Sequence, residues 1–160
     1  MSVHFSQERM KRALDAHDAW WTGALDRPLM KVTLTDAYAG ERAPAVPFLS
    51  QASCADFSYT PHELIERIDC ELSKYEFLGG AFPMVNFDSF GPGVLAAMCG
   101  AVLDNSSGRV WLFPQEKKEL RDIHIKYDPD NIWSSRIKAI YMAGIMLSYL
   151  SNFVCSCVQF

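Results

Sequence analysis

The sequence lacks the short motifs that most directly identify a function. It has no Cys-x-x-Cys pair, no G-x-G-x-x-G or Walker phosphate loop, and no G-x-S-x-G nucleophile elbow. Its histidines have no ligand-like spacing, so we expect no metal site formed by this chain. The cysteines are odd in number and irregularly placed, which favours buried thiols in a reducing cytoplasm: Cys54, Cys70, Cys99, Cys155 and Cys157.

A strong excess of charge of either sign is also missing. The formal net charge is −4 and there is no large basic block, which argues against nucleic-acid binding. The chain has 160 residues, of which 49% are apolar and 21% are charged. These values are typical of a globular protein, and the length suffices for one domain with a proper core.

The first half predicts two helices separated by a strand and a long loop. Ser6 is a good N-cap for an amphipathic helix, and residues 30–34 alternate as a strand does. Residues 36–59 have little periodicity and are predicted to be a loop. A capping box of Thr60 and Glu63 then starts a helix that the glycines at 79–80 are expected to end.

The second half predicts a short buried strand over residues 82–87 and a small helix over residues 94–99. Residues 101–114 read as a hairpin, with residues 105–108 as its turn. Asp130 is the expected cap of a last helix. Strands that alternate with helices indicate the α/β class with a parallel sheet, although the strands are too few to complete such a sheet.

The best candidate site follows the second predicted strand, in the stretch NFDSFGPG. Ligands of α/β proteins bind beyond the carboxyl ends of the strands, where Asn86, Asp88 and Ser89 fall. Gly91 and Gly93 permit a close approach of the backbone to a ligand, such as a carboxylate or a phosphate. The alternative is a tight strand-to-helix turn capped by Asp88 or Ser89.

Several stretches together resemble the uroporphyrinogen decarboxylase-like family, especially its corrinoid methyltransferase-like bacterial branch. They are AWWTGALDRPLMKVTL, ELSKYEFLGGAFPMVNFDSFGPGVLAAMCGAVL, VWLFP and IKYDPDNIWSSRIKAIYMAG. The resemblance covers roughly residues 9–144 and depends on the order and spacing of these stretches.

The resemblance implies the N-terminal part of a (βα)₈ TIM barrel over residues 1–144, with an extra N-terminal helix and a hairpin insertion, from a family whose chains are about twice as long. Members decarboxylate tetrapyrrole acetate arms or transfer methyl groups to and from corrinoid proteins. The zinc of the methyltransferases is held by later strands, so neither zinc nor corrinoid is expected in this chain alone. The family's active-site aspartate has no convincing match here, but Asp88 falls in a similar region and is the candidate catalytic residue. This favours methyl transfer over decarboxylation. The strand-end pattern makes Asn86, Ser89, Gly91 and Gly93 the candidate residues for a small-molecule substrate.

The last residues, 145–160, do not continue the family pattern. Residues 139–160 contain no charge, and the segment could be a membrane anchor, a buried final helix or an unrelated tail on a truncated barrel. Its serines, asparagine and glutamine make it a poor membrane span on a transfer scale, and we favour the truncated barrel, inactive by itself. The other hypothesis is a small non-enzymatic α/β module that binds a partner through this tail.

Overall fold

The fold was analysed in a computed structural model. The structure describes residues 3–40, 42–86, 91, 93–124, 128, 130–151 and 154–156. Within them the helices are α1 (Gln7–Trp21), α2 (Gln51–Ala55), α3 (Pro61–Leu72), α4 (Val94–Met98) and α5 (Ile132–Ser151), with a 3₁₀ helix at Leu120–Asp122. The strands are β1 (Lys31–Leu34), β2 (Glu76–Gly79), β3 (Met84–Asn86), β4 (Val102–Asp104), β5 (Trp111–Phe113) and β6 (Val154–Ser156).

The mixed α/β class is confirmed, but the predicted parallel sheet is not what the described residues form. They form three separate two-stranded sheets, and no closed barrel. β1 pairs with β2 and β4 pairs with β5 in antiparallel fashion, whereas β3 pairs with β6 in parallel. The antiparallel partner of β1 is β2, a strand that the sequence analysis did not predict.

The helix predicted to reach residues 79–80 ends earlier, at Leu72. Beyond it, Phe77 is buried and packs against the ring of Phe5, while Leu78 is exposed. Residues 76–79 instead pair with β1 through the full length of that strand, which a further helical turn would prevent. Gly79, at a φ of +64°, then lies against the Met30 backbone.

A second correction concerns the predicted loop over residues 36–59, which contains α2. Ser50 and Ser53 form a reciprocal capping box: the Ser50 amide donates to Ser53 Oγ at 2.8 Å, and the Ser53 amide donates to Ser50 Oγ at 3.3 Å. A Ser–Ser pair is a weaker sequence signal than the Ser/Thr and Glu/Gln of the usual box. This helix supplies one wall of the cavity described below.

Two further predictions, the cap of α1 and the β-hairpin, depend only on neighbouring residues and are confirmed. Ser6 Oγ accepts a hydrogen bond from the Arg9 amide at 3.2 Å, which confirms the cap of α1. The hairpin of β4 and β5 is confirmed, and its turn is closed by the Gly108 amide, which donates to the Asn105 carbonyl oxygen at 3.0 Å.

Helix α5 packs against α3, and this contact forms the centre of the core. Leu64 of α3 and Ile140 of α5 are both completely buried. The cap of α5 is Asn131 and not Asp130, because Asn131 Oδ1 accepts from the Trp133 amide at 2.9 Å. The helix runs through Gly144 without a break. None of the helices in the described residues is long and apolar enough to cross a membrane.

The predicted capping box of α3 is confirmed, and its contribution can be measured. The Glu63 amide donates to Thr60 Oγ1 at 3.2 Å, and the Thr60 amide donates to Glu63 Oε2 at 2.9 Å. Thr60→Ala should lower the free energy of unfolding by about 1 kcal/mol in urea denaturation, because one amide loses its acceptor. Thr60→Ser, which keeps the hydroxyl, should stay within about 0.5 kcal/mol of the parent. Equal midpoints for the parent and Thr60→Ala would contradict this.

Candidate functional site

The structure covers only part of the site predicted from the sequence. Asn86 is the last residue of β3, and Gly91 and Gly93 lie between this strand and α4. Asp88 and Ser89 lie outside the described residues. The roles assigned to Asn86, Asp88 and Ser89 therefore stay predictions, whereas the surroundings of the two glycines can be examined.

A cavity of about 190 Å³ lies next to these glycines, where α2, α4, α5 and the β4–β5 hairpin meet. Most of its wall is apolar, and the side chains are Val94, Ala97, Leu103, Val110, Leu112 and Ile137. The ring of Trp133 completes the apolar part, and Gln51, Cys54 and Arg136 supply the polar groups. An apolar enclosure with a few polar groups is the usual form of a small-molecule site.

Both glycines have a steric reason to be there. A Cβ atom on Gly93 would lie 2.5 Å from Leu112 Cδ1, so glycine allows α4 to pack against the hairpin. Gly91 has a φ of +69°, and a Cβ atom there would collide with the side chain of Gln51. Gly93 belongs to the cavity wall, and Gly91 makes room for a polar residue of the same wall.

Asn131 fixes α5 against α4 on one side of the cavity. Its Oδ1 caps α5, and its Nδ2 donates to the carbonyl oxygen of Met98 at 3.2 Å, at the end of α4. One side chain thereby satisfies free amides of one helix and a free carbonyl of another. The relative position of the two helices is set by this bridge.

Arg136 is the main polar group of the cavity. The residue is only 6% exposed, and its guanidinium donates from Nε to the Cys54 carbonyl oxygen at 3.2 Å. Nη2 donates to the carbonyl oxygens of Asp56 at 3.1 Å and Tyr59 at 2.8 Å. The guanidinium also lies 5.2 Å from the ring centre of Phe57. Arg136 thus satisfies the carbonyls at the C-terminal end of α2.

The charge of Arg136 is only partly balanced. Within the described part of the chain no carboxylate comes within ion-pair distance of it, and Nη1 has no hydrogen-bond acceptor. Burial lowers the pKa of Arg136, and attraction to Cys54 and Asp56 opposes that effect. An arginine in a protein nevertheless keeps its charge, so the cavity contains a permanent cation.

Cys54 adds no compensating negative charge. Burial raises the pKa of its thiol from the ordinary 9.0 to about 11, and this outweighs the lowering influence of Arg136 and of the Ser50 backbone. The thiol is therefore neutral at physiological pH. Of the described residues that line the cavity, Arg136 alone is ionised there.

Neither Gln51 nor Arg136 was predicted as a site residue, and Cys54 was predicted only to be a buried thiol, which is confirmed. A signal for Arg136 existed, because it follows Trp133 by three residues and precedes Ile140 by four, which places a cation on the buried face of a helix. A buried cation requires polar partners, so the position itself indicates a special environment. No comparable signal marked Gln51.

Comparison of the chain with protein-family models, curated proteins and solved structures found no match to any of them. Among the described residues, no three His, Cys, Asp or Glu side chains come together as a metal-binding group.

Arg136→Met tests the structural part of this arrangement. The substitution keeps an unbranched side chain but removes the donors to three carbonyls, so it should cost about 2–4 kcal/mol of unfolding free energy. Arg109→Met, on the exposed hairpin, is the matched control and should stay within about 0.5 kcal/mol of the parent. Equal losses for the two variants in urea denaturation would show that the carbonyl contacts contribute nothing.

The raised pKa of Cys54 predicts a pH dependence of stability. In the unfolded chain the Cys54 thiol has its ordinary pKa of 9.0, whereas in the folded chain its pKa is raised to about 11. The contribution of this thiol to stability is therefore fully present below pH 9.0 and is lost as the pH rises toward 11. Urea denaturation between these pH values should show a smaller fall for Cys54→Ala than for the parent. An equal fall in stability with pH for the two proteins would contradict a raised pKa at Cys54.

Proposed function

We propose that this chain binds a small carboxylic acid in the cavity between α2, α4, α5 and the β4–β5 hairpin. The observation that carries the proposal is the buried guanidinium of Arg136, which has no carboxylate partner among the described residues. A bound carboxylate would supply the missing counter-charge and accept a hydrogen bond from Nη1.

Three carbonyl dipoles hold the guanidinium, and Asp56 attracts it only from beyond ion-pair distance. A buried charge compensated only in this way is costly. Charge-assisted hydrogen bonds between arginine and a carboxylate are among the strong ones in proteins. A ligand acid therefore gains more from this site than a neutral molecule of the same shape.

The size of the cavity limits the ligand. A dry apolar cavity of about 150 Å³ holds benzene, so 190 Å³ has room for one ring or a short alkyl chain with its carboxylate. The apolar wall of valine, leucine and isoleucine side chains suits the hydrocarbon part. The proposed ligands are monocyclic aromatic acids and short fatty acids.

Relationship to the uroporphyrinogen decarboxylase-like barrels remains part of the proposal. It is supported by the order of elements, with α1 leading into β1 and β3 leading through Gly91 and Gly93 into α4. In that setting Asp88 would be the catalytic residue, with Asn86 and Ser89 beside it. Decarboxylation of a tetrapyrrole, or methyl transfer with a corrinoid protein in the cytoplasm, would be the activity of full-length relatives.

One face of the β1–β2 pair is apolar and uncovered, but its antiparallel pairing is not that of adjacent strands in a (βα)₈ barrel. Val32 and Leu78 are cross-strand partners in the β1–β2 pair, and Met30 and Leu34 lie on the same face as Val32. All of these apolar side chains are exposed, from 38% for Leu78 to 66% for Met30. We propose that further chain of a longer protein would cover this face.

Isothermal titration calorimetry with benzoate and hexanoate tests the binding proposal. Both should bind, and their neutral counterparts benzamide and hexanamide should bind at least about tenfold more weakly, because they lack the charge that Arg136 recognises. Ala97→Leu should abolish binding by filling the cavity from its buried wall. Ala96→Leu, on the exposed side of the same helix, should leave binding unchanged.

The comparison of acid with amide uses the unaltered protein, so it does not depend on the folding of a variant. Equal affinities for acid and amide, or acid binding that survives Ala97→Leu in a folded protein, would overturn the proposal.

A further inference from the structure

Trp133 is the one aromatic side chain among the described residues that line the cavity. The apolar side chains around it are aliphatic, from alanine, valine, leucine and isoleucine. An aliphatic wall contributes buried area, whereas an indole ring also makes specific offset-stacked or edge-to-face contacts with another aromatic ring. Within the described apolar wall, only Trp133 can therefore distinguish an aromatic ligand from a saturated one.

Helix α5 places this ring beside the proposed acid site. Trp133 precedes Arg136 by three residues and Ile137 by four, and all three residues line the cavity. Side chains three or four positions apart on a helix are neighbours, with their Cβ atoms about 5–6 Å from each other. A ligand whose carboxylate meets Arg136 therefore has its hydrocarbon part within reach of the indole.

Phe57 contacts both groups and holds the indole in place. Its ring centre lies 5.4 Å from that of Trp133, in an edge-to-face contact at 63°, and 5.2 Å from the guanidinium carbon of Arg136. The backbone of Trp133 is fixed as well, because its amide donates to Asn131 Oδ1 at 2.9 Å. The indole is thus part of a preformed wall, and a ligand does not have to order it on binding.

We infer that the cavity selects aromatic carboxylates over saturated carboxylates of the same size, and that Trp133 is the residue that determines this selectivity. The inference rests on the proposed acid site at Arg136 and chooses between the two ligand classes that its volume permits. A contact between aromatic rings contributes beyond the area that it buries, by an amount that corresponds to about two- to tenfold in affinity. Stacked and edge-to-face contacts both contribute in this way, so the preference holds whichever part of the indole meets the ligand.

The test compares benzoate with cyclohexanecarboxylate by isothermal titration calorimetry on the full chain. Both acids carry one carboxylate on a six-membered ring, and the saturated ring buries at least as much apolar area, so burial alone gives benzoate no advantage. We expect benzoate to bind about fivefold more tightly. Affinities within about twofold of each other, or tighter binding of cyclohexanecarboxylate, would overturn the inference.

Three variants assign the preference to one residue. Trp133→Leu should bring the ratio of the two affinities to about one, and Trp133→Phe, which keeps an aromatic ring, should retain the preference. Trp21→Leu removes an indole that is 77% exposed at the end of α1, and it should leave both affinities within about twofold of the parent. A change of cavity shape or a loss of structure lowers the affinity for both acids, so the ratio separates selectivity from folding. A preference that persists in Trp133→Leu would refute the role of Trp133.

A spectroscopic measurement on the unaltered protein locates the contact. The indole N–H resonances of Trp133 and Trp21 are identified in a proton–nitrogen NMR spectrum by their loss in Trp133→Phe and Trp21→Leu. Benzoate should shift the Trp133 resonance, because the ring current of the ligand acts on nearby nuclei, and should leave that of Trp21 unchanged. An unshifted Trp133 resonance in a protein that binds benzoate by calorimetry would contradict the inference.

The outcomes distinguish this inference from the proposed function. Equal binding of benzoate and cyclohexanecarboxylate, with benzoate tighter than benzamide, would overturn the selectivity and leave the acid site in place. If benzoate binds no more tightly than benzamide, the acid site and the inference fail together.

Discussion

The arrangement of this fold depends on burying one guanidinium. Arg136 of α5 reaches carbonyls that precede it by 77 to 82 residues, so three hydrogen bonds join the C-terminal end of α2 to the last helix. A buried cation must have polar partners. Two of these partners, the carbonyls of Asp56 and Tyr59, lie in the irregular segment after α2, so the hydrogen bonds hold that segment against α5. The other side of the cavity is set by Asn131, which fixes the end of α4 to the start of α5. These two polar residues thus tie α5 to α2 and to α4, the helices that border the cavity.

Sequence reasoning succeeded where one segment determines its own structure. The caps at Ser6 and Thr60, the hairpin turn and the strand at Lys31–Leu34 depend on residues within a few positions of each other. It failed where a distant segment decides: β2 forms because residues 76–79 pair with β1 and bury Phe77, which overrides the helical pattern that precedes them. The pairing of β3 with β6 is likewise invisible in either strand alone.

The two glycines of the predicted site have a steric role in the structure, which differs from the ligand-binding role that the sequence predicted. Gly91 and Gly93 were expected to bring backbone close to a ligand. In the structure their missing side chains admit Gln51 and Leu112, two residues from distant parts of the chain. Asp88 supplied the chemistry in the prediction, whereas the described residues place a cation in the wall of the cavity. A charged residue on the buried face of a helix was a better sequence signal for this site than the loop that follows a strand.

The neutral state of Cys54 completes the electrostatic argument. A thiol beside a guanidinium could have ionised and formed an internal ion pair, which would have left little attraction for an external acid. Desolvation prevents this, since burial raises the pKa of Cys54 to about 11 despite the nearby cation. The positive charge of Arg136 therefore remains available to a ligand. A cavity of about 190 Å³ could take one acetate arm of a tetrapyrrole but not its macrocycle, so volume favours a small free acid as the ligand.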